Sequence, residues 1–328
     1  MIDVVLFLDK KKNYISHFSQ AIHGFVLLAK QRMIRLTFAG DTLPVPRNCF
    51  IAEMDGKRVV FDLDDGIGTS TVEMNQRLNT CDLYFKRSYS EEFARTLDHK
   101  GKLVPYGLNY VKFPCFSSRL GTKLERFFGI KIRHITTGQD HWTLSDTREV
   151  DDVLFATRLW DAENTNDPLR EKINADRIHY VKELRKNFSQ RSHIGIIDSP
   201  LARQMCPEFI LSDRETRRIR YMEFIKKAKV CVTTTGLSRS IGWRFGEYVA
   251  AGKVIVTEPL SFEVPGNFRK NVHYLTFESS DDLCAGCHEC LTNDSLREHM
   301  KINNRLYYFQ YLKPDILILN TIMTTLNS

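Results

Sequence analysis

The chain lacks any run of about twenty apolar residues, so no bilayer-spanning helix is expected. Its first residues, MIDVVLFLDKKKN, show no basic segment ahead of the apolar run and no small-residue cleavage site. They read as a first strand rather than a secretory signal. No internal repeat or low-complexity segment occurs, which excludes repeat architectures. There is no dense basic tail, and the net charge of +7 is modest for 328 residues. Such a balance suits an anionic ligand, a phosphorylated acceptor or an anionic membrane surface, and no nucleic-acid partner is expected. The eight cysteines are scattered through a large chain and read as free thiols of a reducing compartment. A cytoplasmic protein is therefore expected, with peripheral contact at the inner face of a membrane compatible with the charge.

What is present is an ordinary globular composition, 42% hydrophobic and 27% charged. The length exceeds a usual single core, so two domains are expected. In residues 1–145 short apolar runs alternate with helix-period segments, and Asp55-Gly56 marks a turn between two of the runs. The pattern weakens over residues 114–148, and the inter-domain connection is placed within 130–150. It restarts at residue 152 with a strand that ends in Arg158-Leu159-Trp160-Asp161. Pro168 then predicts a helix start, and residues 213–227 read as one helix.

The most informative stretch runs from Thr233 to Pro259, TTTGLSRSIGWRFGEYVAAGKVIVTEP. It reads as strand end, small polar loop, helix over about 240–251, Gly252 stop and second strand, which is half of a parallel βαβ array. Backbone N–H groups from Gly236 and from Ser240, Ile241 and Gly242 at the helix start can face an anion such as a diphosphate. Glu247, about two turns in, offers a carboxylate to two vicinal hydroxyls, as on a ribose. Arg244 is near enough to reach a phosphate.

The string GEYVAAGKVIVTEPL resembles the donor-site segment of GT-B glycosyltransferases of the family 1-like kind. The resemblance is strongest over residues 152–313. It implies two Rossmann-like α/β domains facing each other across a cleft: an acceptor-side domain (1–145), a nucleotide-sugar domain (146–311), and a C-terminal helix (312–328) returning to the first. It also implies that the helix start faces the donor diphosphate, that Glu247 binds the ribose, and that Arg158 lies against the diphosphate. Eight residues before Glu247 stands Arg239, where many retaining members carry a second Glu, so retaining and inverting outcomes both stay open.

In the first domain, Phe61-Asp62-Leu63-Asp64-Asp65-Gly66 ends a strand with three carboxylates. Asp64 or Asp65 is the candidate base for an acceptor hydroxyl; a turn rich in Asp and Gly is the plainer reading. Asp62-x-Asp64 also spells the metal motif of the other glycosyltransferase fold. The donor stretch lies far downstream of it, so no metal is expected. Lys86, Arg87 and Asn109 follow later strands and are candidates for an acceptor cleft. His134 and His141 are lesser candidates for a base. Cys284-x-x-Cys287-His288 spells a haem-attachment motif, but Leu283, Cys287, Cys290 and Leu291 share one helical stripe and read as core.

The resulting expectation is a metal-independent glycosyltransferase of polysaccharide biosynthesis. It would move a sugar from a nucleotide-sugar donor, a substrate rather than a cofactor, to a hydroxyl of a glycan or glycolipid. The alternatives are a sugar-nucleotide epimerase or polyol-phosphate transferase of the same fold, and a non-catalytic module binding a nucleotide or an anionic polymer.

Overall fold

The computed structural model describes residues 1–8, 15–39, 48–112, 148–161, 168–188 and 190–328. His134, His141, the lysines at 10–12 and the expected inter-domain connection lie outside these residues. The chain divides into two compact α/β units. One comprises Met1–His141, Ser261–Gly266 and Phe309–Ser328; the other comprises Trp142–Leu260 and Asn267–Tyr308.

The first unit is built on a sheet of order β2-β1-β3-β4-β5-β6. Its strands are β1 (Ile2–Phe7), β2 (Ile34–Ala39), β3 (Cys49–Met54), β4 (Lys57–Asp62), β5 (Leu83–Lys86) and β6 (Leu103–Pro105). All run parallel except β3, which is antiparallel to both β1 and β4. The β3–β4 hairpin closes through Asp55 (φ 52) and Gly56 (φ 84). Two successive left-handed residues match the right-handed twist of the flanking strands, which is why Asp-Gly works there. Register sets Phe50 opposite Phe61 and Phe61 opposite Phe85. Their rings stack at 4.6 and 5.4 Å, an aromatic ladder across three strands.

Helix α1 (Ile15–Lys30) lays Phe18, Ala21, Ile22, Phe25 and Val26 onto this core at helical spacing. The C-terminal helix, Pro314–Leu326, adds Leu317, Ile318 and Ile322 to the same cluster. Gly24 permits the contact between these two helices. A Cβ at that position would stand 2.2 Å from the carbonyl oxygen of Pro314. Helix α2 (Thr71–Leu78) buries Met74 and Leu78 in a second cluster with Cys49, Tyr84 and Leu103.

The second unit carries β7 (Asp151–Thr157), β8 (His193–Ile197), β9 (Ile210–Leu211), β10 (Ala228–Thr233), β11 (Val254–Thr257) and β12 (Leu275–Thr276). They form an all-parallel sheet of order β12-β11-β10-β7-β8-β9. Helix α3 (Pro168–Phe188) starts at the predicted proline. Short α4 (Pro200–Met205), α5 (Arg218–Lys227), α6 (Trp243–Ala250), α7 (Ser280–Thr292) and α8 (Asp294–Tyr307) complete the unit. Val153, Phe155, Val230, Val232, Val254 and Val256 pack with Val181, Leu184, Leu283 and Met300. Cys287 and Cys290 are fully buried in that cluster, so this Cys-rich stripe is core.

Two expected elements need correction. Residues 213–227 are not one helix. Ser212 and Glu215 form a reciprocal capping box on a single turn, and Arg217 is extended (φ −58, ψ 136) before α5 begins. The helix of the central stretch starts at Trp243 rather than near 240, because residues 237–239 form a separate tight turn.

Candidate functional site

The parallel sheet of the second unit has the doubly wound order in which its first strand, β7, lies beside its fourth, β10. Chain connections leave that pair in opposite directions and open a crevice at the carboxyl ends, where such sheets bind ligands. Arg158 follows β7, the Thr233–Gly236 loop ends β10, and Glu258 ends β11.

A residue that sequence reasoning passed over anchors this crevice. Arg177, from the middle of α3, is 5% exposed. It donates to Thr234 Oγ1 (3.1 Å), to the carbonyl of Arg158 (2.7 Å) and to the carbonyl of Thr235 (3.0 Å). All three acceptors are neutral. Burial first, and then the charge of Arg244, pull its pKa down to about 10; Glu258 opposes them and Arg158 adds to them. Its charge therefore sits in a field of like charges, which an incoming anion would relieve. The signal was available in the sequence: Asn174, Arg177, Val181 and Leu184 fall on one helical stripe, and all four are buried.

Asn174 pins the loop after β7 by a reciprocal pair. Its Oδ1 accepts from Trp160 N (2.8 Å) and its Nδ2 donates to Trp160 O (2.9 Å). The Arg158 guanidinium then lies 3.8 Å above the Trp160 ring, a cation–π contact that fixes its plane. Trp160 Nε1 is buried with no hydrogen-bond partner among the described residues. Beside it a pocket of about 450 Å³ opens between the ends of β7 and β8, lined by Arg158, Trp160, Asp161, Arg170, Asp198 and Ser199 among others.

The polar loop is shaped by its own backbone. Gly236 N donates to Ser240 O (2.8 Å), and Ser240 N donates to Leu237 O (3.1 Å). Ser238 (φ 55) and Arg239 (φ 58) both take the left-handed conformation, strained for non-glycine residues. A Cβ on Gly236 would meet Ser240 Oγ at 2.6 Å, so any larger residue there would force the Ser240 side chain to shift. Thr235 is held by Glu258, which accepts from its N–H (2.8 Å) and its hydroxyl (2.7 Å). Gly242 caps α6 without a side-chain hydrogen bond to the helix amides. Ser240 and Ile241 are buried, so their side chains face inward. Arg244, in the first turn of α6, donates to the carbonyl of Ala156 and lies 5.4 Å from the Tyr221 ring.

Glu247 is 3% exposed. Burial pushes its carboxyl above the ordinary range, opposed by Arg218 and Arg244. Arg218 Nη1 pairs with Glu247 Oε1 at 2.6 Å from the start of α5. A hydroxyl ligand would share that carboxylate with Arg218. Arg158, Gly236, Arg244 and the α6 start thus sit with Arg177 around the β7–β10 ends, and Glu247, further along α6, is held by Arg218.

In the first unit, Asp64 and Asp65 follow β4. Asp64 Oδ1 accepts from Asn48 Nδ2 (2.6 Å) and from Asp65 N (3.0 Å). Asp65 pairs with Arg87 Nη1 at 2.6 Å. Ser88 Oγ bridges the loop, accepting from Gly66 N and donating to Asp64 O. His17, which sequence reasoning missed, joins them from α1, its Nδ1 3.4 Å from Leu63 O. Burial and then Arg87 lower its pKa; Asp65 and Asp64 oppose the shift.

The three acceptor-cleft candidates, Lys86, Arg87 and Asn109, are all buried. Lys86 is 1% exposed and pairs with Asp62 Oδ2 at 2.9 Å, which also accepts from Tyr84 OH. A cation on a central strand has to be neutralised inside the core, and Asp62 does this. Asn109 is likewise buried, at 4% exposure. Asp62 thus accepts from both Lys86 and Tyr84 inside the core.

No protein-family model and no curated protein sequence matches the chain. Solved structures similar to it include GT-B glycosyltransferases. HepE from Anabaena, in complex with UDP and glucose, is 10% identical over 100% of both chains, with a TM-score of 0.49. TarM is 13% identical over 81% of this chain and 48% of its own, with a TM-score of 0.48, so the chain spans about half the length of TarM. WaaG, a glycosyltransferase involved in lipopolysaccharide biosynthesis, is 10% identical over 95% of each chain, with a TM-score of 0.40.

Proposed function

We propose that the chain is a GT-B glycosyltransferase whose second unit binds a nucleotide-sugar at the β7–β10 crevice. The sugar passes to a hydroxyl of a glycan or glycolipid. One observation carries the reading: a buried guanidinium, Arg177, bonded among the described residues to three neutral oxygens, with Arg158 and Arg244 beside it at the switch point of the sheet. Charge grows on the departing diphosphate in the transition state, and fixed cations with helix-end amides stabilise it there. The guanidinium groups supply positive charge for the step, which in this reading needs no metal.

Glu247 is proposed to accept from the ribose hydroxyls, sharing its carboxylate with Arg218. Asp64 or Asp65 of the first unit is the proposed acceptor of the nucleophile's proton, with His17 as a third candidate in the same cluster. That cluster also favours a second reading, a sugar-nucleotide epimerase of the same fold, because a His beside two carboxylates suits proton shuttling.

The test is a thermal-shift panel of nucleoside diphosphates and nucleotide-sugars, since a ligand bound only by the folded state raises its stability. One nucleotide class should raise Tm, and exposed Arg158→Ala should remove most of the shift. Glu247→Gln should fold and show a reduced shift. An undiminished shift in Arg158→Ala places the ligand elsewhere. Product analysis of the cognate donor then separates transfer to a hydroxyl from epimerisation.

A further inference from the structure

We propose that the first unit carries a separate ligand site, selective for an uncharged, mainly aliphatic moiety bearing one acceptor oxygen, and that Tyr106 donates the hydrogen bond to that oxygen. This is independent of the nucleotide-sugar reading, because every residue involved belongs to the first unit.

A pocket of about 310 Å³ lies between the edge strand β6 and the C-terminal helix. That volume is near the lower end of small-molecule sites, roughly 300 Å³. Among the described residues twelve side chains line it and none of these is charged. The walls are largely apolar, with Phe85, Val104 and Leu317 among them. The pocket beside Trp160 differs, being lined by Arg158, Arg170, Asp161 and Asp198. A charged ligand group in the neutral pocket would lose its hydration with no counter-charge in return.

Its polar groups are unevenly engaged. Asn320 Nδ2 already donates to Gln310 O (2.7 Å), and Thr321 Oγ1 to Ile318 O (2.8 Å). Tyr106 is different: it is 1% exposed, and its hydroxyl is buried with no hydrogen-bond partner among the described residues. The ring cannot readily turn away. Its backbone N–H is bonded to Lys86 O at 2.9 Å, and its ring stands edge-on to Phe61 at 6.0 Å. Burial pushes the phenol well above its ordinary pKa, so it stays a neutral donor. A buried donor left unmade is costly, and most such groups in folded proteins are satisfied. A ligand oxygen in the adjoining pocket would satisfy it; a pure hydrocarbon would not.

The experiment is calorimetric titration with 1-octanol and with octanoate on the full chain, repeated on Tyr106→Phe and on Thr324→Trp. Thr324 is an exposed residue of the pocket wall, and an indole there fills the space. Wild type should bind one octanol per chain saturably, with octanoate at least tenfold weaker. Tyr106→Phe should bind octanol roughly three- to tenfold more weakly, the ratio expected for one lost hydrogen bond. It should also melt no lower than wild type without ligand, because the substitution removes an unsatisfied hydroxyl. Thr324→Trp should not bind. Absence of saturable octanol binding by wild type, equal affinity for octanoate, or unchanged affinity in Tyr106→Phe would overturn the proposal.

Discussion

Arg177 supports Arg158 from beneath: its Nη1 donates to the Arg158 carbonyl at 2.7 Å, while the Arg158 guanidinium stacks on Trp160. One buried cation thereby sets the backbone from which a second, exposed cation projects. Like charges are held close by bonds to neutral oxygens, an arrangement that improves when an anion arrives.

Arg177→Met should therefore do two things. It leaves Thr234 Oγ1 and two carbonyls without their donor, at a cost of about 1–3 kcal/mol for each acceptor that water cannot reach. A urea midpoint well below wild type is expected. Saturating nucleotide should also restore less stability to the variant than to wild type. A variant with wild-type stability and an undiminished nucleotide shift would remove Arg177 from the anchor role.

Gly236→Ala should destabilise the second unit and weaken nucleotide binding, because the new Cβ stands 2.6 Å from Ser240 Oγ. The Gly236→Ala/Ser240→Ala double variant removes that oxygen and should recover most of the loss. Thermal melts of the two variants decide it. A double variant no better than the single would place the fault in the backbone rather than in this contact.

The sealed Lys86–Asp62 pair predicts strong non-additivity. Lys86→Met alone leaves Asp62 buried and short of its cation, at a cost of about 3–5 kcal/mol. The Lys86→Met/Asp62→Asn double variant should be more stable than Lys86→Met. Urea unfolding of wild type, Lys86→Met, Asp62→Asn and the double variant measures the coupling, and simple additivity would contradict the pair as drawn.

Stability should fall in mild acid. Burial lowers the pKa of His17, His193 and His273. As pH drops through about 6.5 the unfolded chain takes up protons before the folded chain does. Folding free energy is then lost below that pH and retained above it. His193 is stacked on Phe224 at 3.7 Å with Glu215 3.6 Å from its Nδ1. His193→Gln should flatten the fall in urea midpoint between pH 7.5 and 5.5, and an unchanged slope would assign the effect to the other two imidazoles.

Much of the fold was legible in the chain because local signals agreed with one another. Asp55-Gly56 specifies its hairpin, Pro168 its helix start, and the valines of β7, β10 and β11 a buried parallel sheet. The helix break at Arg217 was less legible, since the apolar spacing continues across it and only the capping box of Ser212 and Glu215 ends the first turn. At the candidate site, Arg158, Gly236 and Arg244 could be named from the ends of strands and helices. Arg177 could not be picked out as readily, because a mid-helix arginine usually faces water.

The sequence alone determined which segments become strands and helices, since hydrophobic period and turn chemistry act over a few neighbouring residues. It also marked the loop before α6 as small and polar. Only the tertiary structure decided which carboxylate each buried cation meets. Lys86 and Arg87 are adjacent in the chain and both buried, yet one neutralises the sealed Asp62 and the other meets the partly exposed Asp65. Alternate residues of a strand point to opposite faces, and what covers each face is set by packing from distant parts of the chain.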